Sequence, residues 1–302
     1  MKRTHVLSFV LAALLAGCVG RTPEAQPIGS PAPAAQLRIA SWNLEFLAEK
    51  NGEGCHPRQD GDYAQMRAIA DGLGADVIAF AEAENPAAAA RVFDARRYRI
   101  VMEQRPGSPG GSCGRAAPGQ AFIRQAVGFA IRKDLAFTRA PDVTALQVGN
   151  PNLRSGVDIS IKPAKGRPLR LLALHLKSVC FQGATDPACP QLLQQIPVVA
   201  GWVDAAAAGP TRFAVLGDWN RRLALPGDSF WQTIDDGNPP NADLRLADAG
   251  VTPRCDPKYH DFIDHIVLDK RAGAELRSFR EITFPAGQHP SDHCPIAVDL
   301  TR

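Results

Sequence analysis

Residues 212–220 read RFAVLGDWN. Phe213, Ala214, Val215 and Leu216 are apolar without alternation, and the run then stops in the polar step Asp218–Trp219–Asn220. A strand with one wet face alternates, whereas a run apolar on both faces suits a strand sandwiched between layers. Seven further runs end in the same way: LRIASWN at 37–43, DVIAFAE at 76–82, AVGFAIR at 126–132, VDISI at 157–161, LRLLALHLK at 169–177, FIDHIVLD at 262–269 and PIAVDL at 295–300. Helical patterns fall at about 62–74, 86–94 and 191–208, and Pro197 in the last should start a helix there or kink it. Strands outnumber helices. That favours two packed sheets with helices outside over a doubly wound parallel sheet.

The chain begins MKRTHVLSFVLAALLAG, a basic start and an apolar run too short to span a bilayer, which suits a secretory signal over residues 1–17. The run ends in LAGC, and this resembles the lipobox of bacterial lipoproteins, in which the cysteine, here Cys18, is lipidated. By that family's rule, Val19 in place of an aspartate leans towards the outer membrane. The protein is therefore expected to be exported and to meet the membrane through a lipid anchor. Residues 18–35, rich in proline and poor in large apolar side chains, read as a tether, and 36–302 as one catalytic domain.

Removal of Lys2 and Arg3 with the leader lowers Lys+Arg from 34 to 32 against 31 Asp+Glu, so no global pull towards a polyanion follows. Arg91, Arg96, Arg97, Arg99 and Arg105, and then Arg221 and Arg222, read as scattered surface charge. Besides Cys18 there are six cysteines, an even number in an exported chain with no C-x-x-C spacing, which argues for three disulfides rather than a zinc site. Cys180 with Cys189 brackets one short loop; Cys55 with Cys113 and Cys255 with Cys294 follow only from chain order.

The chemistry-bearing residues gather where the strands stop: Asn43 and Glu45, Glu82, His175, Asp218 and Asn220, Asp264, then Asp292 and His293. Ser291, Asp292 and His293 are adjacent and cannot converge on one another as a triad, because neighbours on an extended chain point in alternating directions. Carboxylates, amides and imidazoles without a cysteine or serine nucleophile suit a hard cation and a phosphate.

In order, SWNLE, DVIAFAE, LHLKS, GDWN, IDHI and SDH resemble the endonuclease/exonuclease/phosphatase superfamily over residues 37–300, with Ala81 where that family commonly has glutamine. The resemblance implies an α/β (α+β), DNase I-like four-layer sandwich of two packed, mostly antiparallel sheets flanked by helices. It also implies a phosphoesterase that uses Mg²⁺, with Mn²⁺ or Ca²⁺ as substitutes. Glu82 would be the principal metal ligand, with Asn43, Glu45 and Asp292 as direct or water-mediated ligands. Asp218 would orient or deprotonate the attacking water, Asn220 and His175 would hydrogen-bond the phosphate, and His293 would pair with Asp264. Attack would be in line, without a covalent enzyme intermediate.

The expected substrate is a nucleic-acid phosphodiester, cleaved by a monomer. A phosphorylated lipid or small phosphate ester stays open through the near-neutral charge and the lipid anchor. An inactive surface-displayed binding protein is the alternative of another class, opposed by the presence of every acidic and histidine position. Plainer readings exist too: Asn43 as a turn cap, Asp218 with Asn220 as an Asx turn, His175 as a hydrogen-bonded strand histidine. Phe181, Trp219, Phe230 and Trp231 suit either nucleotide stacking or the core.

Overall fold

The computed structural model describes residues 36–107, 111–180, 186–285 and 287–301. The leader, Cys18, the tether and Phe181 lie outside them. One sheet has the order β11 (Leu276–Glu281), β12 (Ile296–Thr301), β1 (Gln36–Leu47), β2 (Val77–Ala83), β4 (Ala126–Arg132) and β3 (Tyr98–Met102). The other runs β5 (Ala136–Arg139), β6 (Val157–Lys162), β7 (Leu169–His175), β8 (Arg212–Asp218), β10 (Asp264–Leu268) and β9 (Arg245–Leu246). Only β1 with β2 and β7 with β8 pair in parallel; the remaining neighbours are antiparallel.

The apolar runs follow from what each strand faces. Side chains alternate across a strand, so Leu37 and Ile39 of β1 enter a core between the sheets with Val77, Phe129, Leu171 and Leu216. Ala40, Trp42 and Leu44 enter a second core under α1 (Asp60–Leu73) and α2 (Pro86–Val92). On the far side, Leu172, Leu174 and Val215 meet Leu192, Val199 and Val203 of α3 (Cys189–Ala208) and Phe230 of α4 (Ser229–Ile234). Three cores separate four layers, the expected sandwich. Each fully buried Leu, Ile or Phe contributes about 1.5–3 kcal/mol, and charged residues within interior strands are paired, as Arg38 of β1 is with Asp299 of β12 and Asp158 of β6 with Arg170 of β7.

The helices differ from expectation in two respects, of which the first is α4, absent from the sequence pattern. Pro197 does not start a helix: α3 begins at Cys189, where Pro190 occupies the first turn, and continues through Pro197 to Ala208. Disulfides join Cys55–Cys113, Cys180–Cys189 and Cys255–Cys294. Among the described residues no helix is long and apolar enough to cross a membrane.

Candidate active site

Strand register assembles the centre of the site. Asp218 at the end of β8 lies directly opposite His175 on β7 and Asp264 on β10, so the three stand in one row across three strands. Directly opposed residues share a face. Gly217, one step earlier at φ 144°, is required there: a Cβ would sit 1.9 Å from the Leu174 carbonyl oxygen. The other sheet closes on this row from β1 and β2. The regular β1–β2 register breaks after Asn43, and Glu45, Phe46 and Glu82 all take left-handed backbone angles. With Asn220, four of the six described non-glycine residues at positive φ lie here, and such conformations persist where surrounding contacts over-determine them.

The side chains then meet. Asn43 donates from Nδ2 to Glu82 Oε1 at 3.2 Å and to Asp218 Oδ2 at 3.1 Å, bridging the two sheets. Glu82 Oε2 accepts from the Phe46 N–H at 3.0 Å. His175 Nε2 lies 3.5 Å from Asp218 Oδ2 and 3.8 Å from Glu82 Oε1. On the opposite side, His293 Nδ1 is 2.5 Å from Asp264 Oδ2, and its Nε2 is 3.9 Å from Asp218 Oδ2. Ser291 donates to the Asn43 carbonyl at 2.8 Å and accepts from the His293 N–H at 3.1 Å, so it builds the turn that delivers His293.

The two imidazoles are driven apart electrically. Burial drives the His175 pKa well below the ordinary value, helped by the positive charges of Arg154 and His293, so it stands neutral. Burial acts in the same direction on His293, but the charge and hydrogen bond of Asp264, with Asp218 behind, outweigh it and hold His293 well above the ordinary value as a cation. Asp218 is pushed up to about 7, first by burial and then by the negative charge of Asp264.

Crowded, dry carboxylates of this kind call for positive charge. Glu82, Asp218 and Asp264 are each buried and Asp292 lies at the rim, and Asp264 Oδ1 has no partner among the described residues. This all-oxygen acidic donor set fits a hard divalent cation. Among the described residues, Asp218, Asp264 and His293 bring ligand-type atoms within 4.8 Å of one another. Because His293 Nδ1 is bonded to Asp264, that trio reads as a hydrogen-bonded relay, linked through Asn43 to Glu82.

Not every residue expected in the site stands at this centre. The Glu45 carboxylate is turned to His56, with Oε2 2.7 Å from Nδ1, and accepts the Asp292 N–H at 2.8 Å. Asn220 uses its side-chain amide on the Leu176 carbonyl at 3.2 Å, while its backbone N–H holds Asp218 Oδ1 at 2.8 Å. The Asp292 side chain is exposed, with Oδ1 3.7 Å from His293 Nε2. Trp219 and Phe230 are core residues in edge contact with each other, not a stacking surface. The arginines read as scattered surface charge have local partners, Arg91 with Asp60, Arg96 with Asp94, Arg97 with Asp71 and Arg221 with Asp228, but Arg105 is buried on Glu103 rather than at the surface.

Three site residues carry no signal in the sequence. Arg58, 1 % exposed, donates to the carbonyls of Leu44 at 3.0 Å, Glu45 at 2.7 Å and Pro290 at 2.7 Å, tying the end of β1 to the turn that carries Asp292 and His293. Arg154 donates to the carbonyls of His175 at 3.2 Å and Leu176 at 2.6 Å. His56 holds Glu45 from a loop fixed by the neighbouring Cys55–Cys113 disulfide. In the sequence each is an isolated polar residue outside any motif.

No family model matches the sequence, and no curated protein matches it. Solved structures do. TDP2 of D. rerio complexed with a single-strand DNA product superposes with a TM-score of 0.60 at 18 % identity, covering 89 % of this chain and 100 % of that one. An endonuclease/exonuclease/phosphatase family protein from Bacteroides thetaiotaomicron gives 0.59 at 15 %, covering 88 % and 97 %. The 3′ phosphatase NExo from Neisseria, bound to a product DNA hairpin, gives 0.56 at 16 %, covering 88 % and 100 %. These likenesses establish the fold.

Proposed function

We propose that this protein is a divalent-metal-dependent phosphodiesterase that cleaves nucleic acid by in-line attack of water. The observation that carries the reading is the buried row His175–Asp218–Asp264 with the His293 cation locked to its end, facing Glu82 and Asn43 from the other sheet. Glu82 would hold the metal, its carboxylate oriented by Asn43 and with Asp292 at the rim, while Glu45 is engaged by His56, and Mg²⁺ suits such oxygen donors. Bound there, the ion supplies charge neutralisation at the phosphoryl oxygens.

The chain's own groups divide the remaining work. Asp218, raised to about 7, is matched to accept a proton from water near neutral pH, and the Asn220 N–H fixes which way its carboxylate points. His293, held charged by Asp264, stabilises negative charge that grows on the phosphate. Neutral His175 offers a hydrogen bond without adding positive charge beside the metal site.

A nucleic-acid substrate is supported by the solved structures of this fold that carry DNA. The test is a panel of supercoiled DNA, single-stranded DNA, RNA, sphingomyelin and inositol phosphates at fixed Mg²⁺ and salt, with an EDTA control. Mg²⁺-dependent scission of DNA or RNA is expected. Turnover of the lipid or inositol phosphates alone, or of nothing, refutes the proposal. The location expected from the sequence is tested separately: Cys18→Ser should release the protein from the membrane fraction or block its processing, and unchanged size with full retention would refute lipidation.

A further inference from the structure

Six large hydrophobic side chains are exposed among the described residues: Phe122, Val179, Leu193, Leu225, Val251 and Tyr259. All six lie on segments at the end of the sheets where Asp218, Glu82 and His293 sit, since they follow β3, β7, β8 or β9, or open α3. One of them touches the site through a single intermediary. The Phe122 ring, 43 % exposed, packs against the half-buried Phe46 ring with centroids 5.7 Å apart, and the Phe46 N–H is hydrogen-bonded to Glu82. An exposed aromatic thus stands one residue from the anchoring carboxylate.

Its position is built. Phe122 and Gly111 are joined by a backbone hydrogen bond, the flanking Ser112 and Ala121 form a bridge, and Cys113 is tied to Cys55. Phe122 lies so close over Gly111 that a Cβ there would come within 2.9 Å of the ring. Gly54 is similarly confined, with Ile123 and the Phe46 carbonyl each 3.3 Å from its would-be Cβ. A loop that only covered the core would turn this ring inward. Here disulfide, bridge and glycines hold a flat apolar face in solvent, linked through Phe46 to Glu82.

We infer that Phe122, backed by Phe46, is a stacking platform for the nucleobase attached to the scissile phosphate, an assignment that rests on the proposed nucleic-acid phosphodiesterase activity. Base–aromatic stacking supplies sequence-tolerant affinity because every base has a π-face.

The test compares binding of 2′-deoxyadenosine 5′-monophosphate and of 2-deoxyribose 5-phosphate, which lacks the base, by titration calorimetry of the full-length protein in Mg²⁺. The wild type should bind the base-bearing ligand about 5- to 150-fold more tightly, the range that stacking of one base supplies. Phe122→Ala should bring that ratio to about 1 while leaving affinity for the base-free ligand unchanged, and Phe122→Trp should keep it. Phe122→Leu, which retains apolar bulk over Gly111, should fold as the wild type does and lose most of the ratio.

Equal binding of both ligands by the wild type, or a full ratio in Phe122→Leu, overturns the platform and leaves the phosphate site standing. Failure of both ligands to bind overturns the phosphodiesterase reading and the platform with it.

Discussion

Arg58 offers the sharpest quantitative test of how the site is held. Its guanidinium is buried and bridges two segments far apart in sequence, accepting no help from a carboxylate closer than Glu45 Oε2 at 4.0 Å. Arg58→Met keeps the stem and removes every donor. Three carbonyls, of Leu44, Glu45 and Pro290, then lose a charged donor at 3.0 Å or less. Each hydrogen bond to a charged group is worth about 1.5–3 kcal/mol. The sum overstates the effect, because the variant no longer bears the desolvation of a buried cation, the same burial that lowers the Arg58 pKa. Carbonyls near the rim also regain water.

A net loss of about 2–4 kcal/mol follows, equivalent to a fall in Tm of about 4–16 °C at the roughly 2–4 °C per kcal/mol usual for a domain of this size. Urea unfolding of the oxidised protein, with an unchanged m-value, measures it directly. Activity well below the new Tm should also fall, since Pro290 precedes the Ser291–Asp292–His293 turn. A midpoint within error of the wild type would show that Arg58 does not clamp the two segments.

Three further outcomes are expected. Glu82→Gln should raise the Mg²⁺ concentration needed for half-maximal rate while Asp218→Asn lowers turnover at saturating metal, each losing about 100-fold or more; full activity in both would place the site elsewhere. Asp264→Asn and His293→Ala should each depress the rate, and the double variant should be little worse than His293→Ala alone, because residues acting as one unit are not additive; additive losses would mean that they are not a pair. Burial opposes the charge on His265, but Asp248, 3.0 Å away and equally buried, raises its pKa above the ordinary value. The stability this supplies is complete below the unfolded pKa of about 6.5 and fades as pH rises through the folded value. Asp248→Asn should therefore cost about 3–5 kcal/mol near pH 6 and less in alkali, and a gap that widened with pH in denaturant titrations would reverse the assignment.

The eight apolar runs of the sequence are the eight interior strands, β1, β2, β4, β6, β7, β8, β10 and β12, and the four strands that the pattern does not reveal, β3, β5, β9 and β11, are the four sheet edges. Burial on both faces writes a continuous apolar run into an interior strand. An edge strand such as AFTR at Ala136–Arg139, alternating between exposed and half-buried positions, leaves no such trace. The residues at the runs' ends were legible for the same reason: a carboxylate or imidazole that interrupts a doubly buried strand needs a cause, and Glu82, His175, Asp218 and Asp264 each have one in the site. The tertiary structure alone decided which of these meet. It also fixed the Asp218–Asp264 pairing through β-strand register, the turning of Glu45 to His56 on a disulfide-held loop, the burial of Arg58 on three carbonyls, and the exposure of Phe122 beside Phe46. Each is a contact between segments distant in the chain, where local pattern has nothing to record.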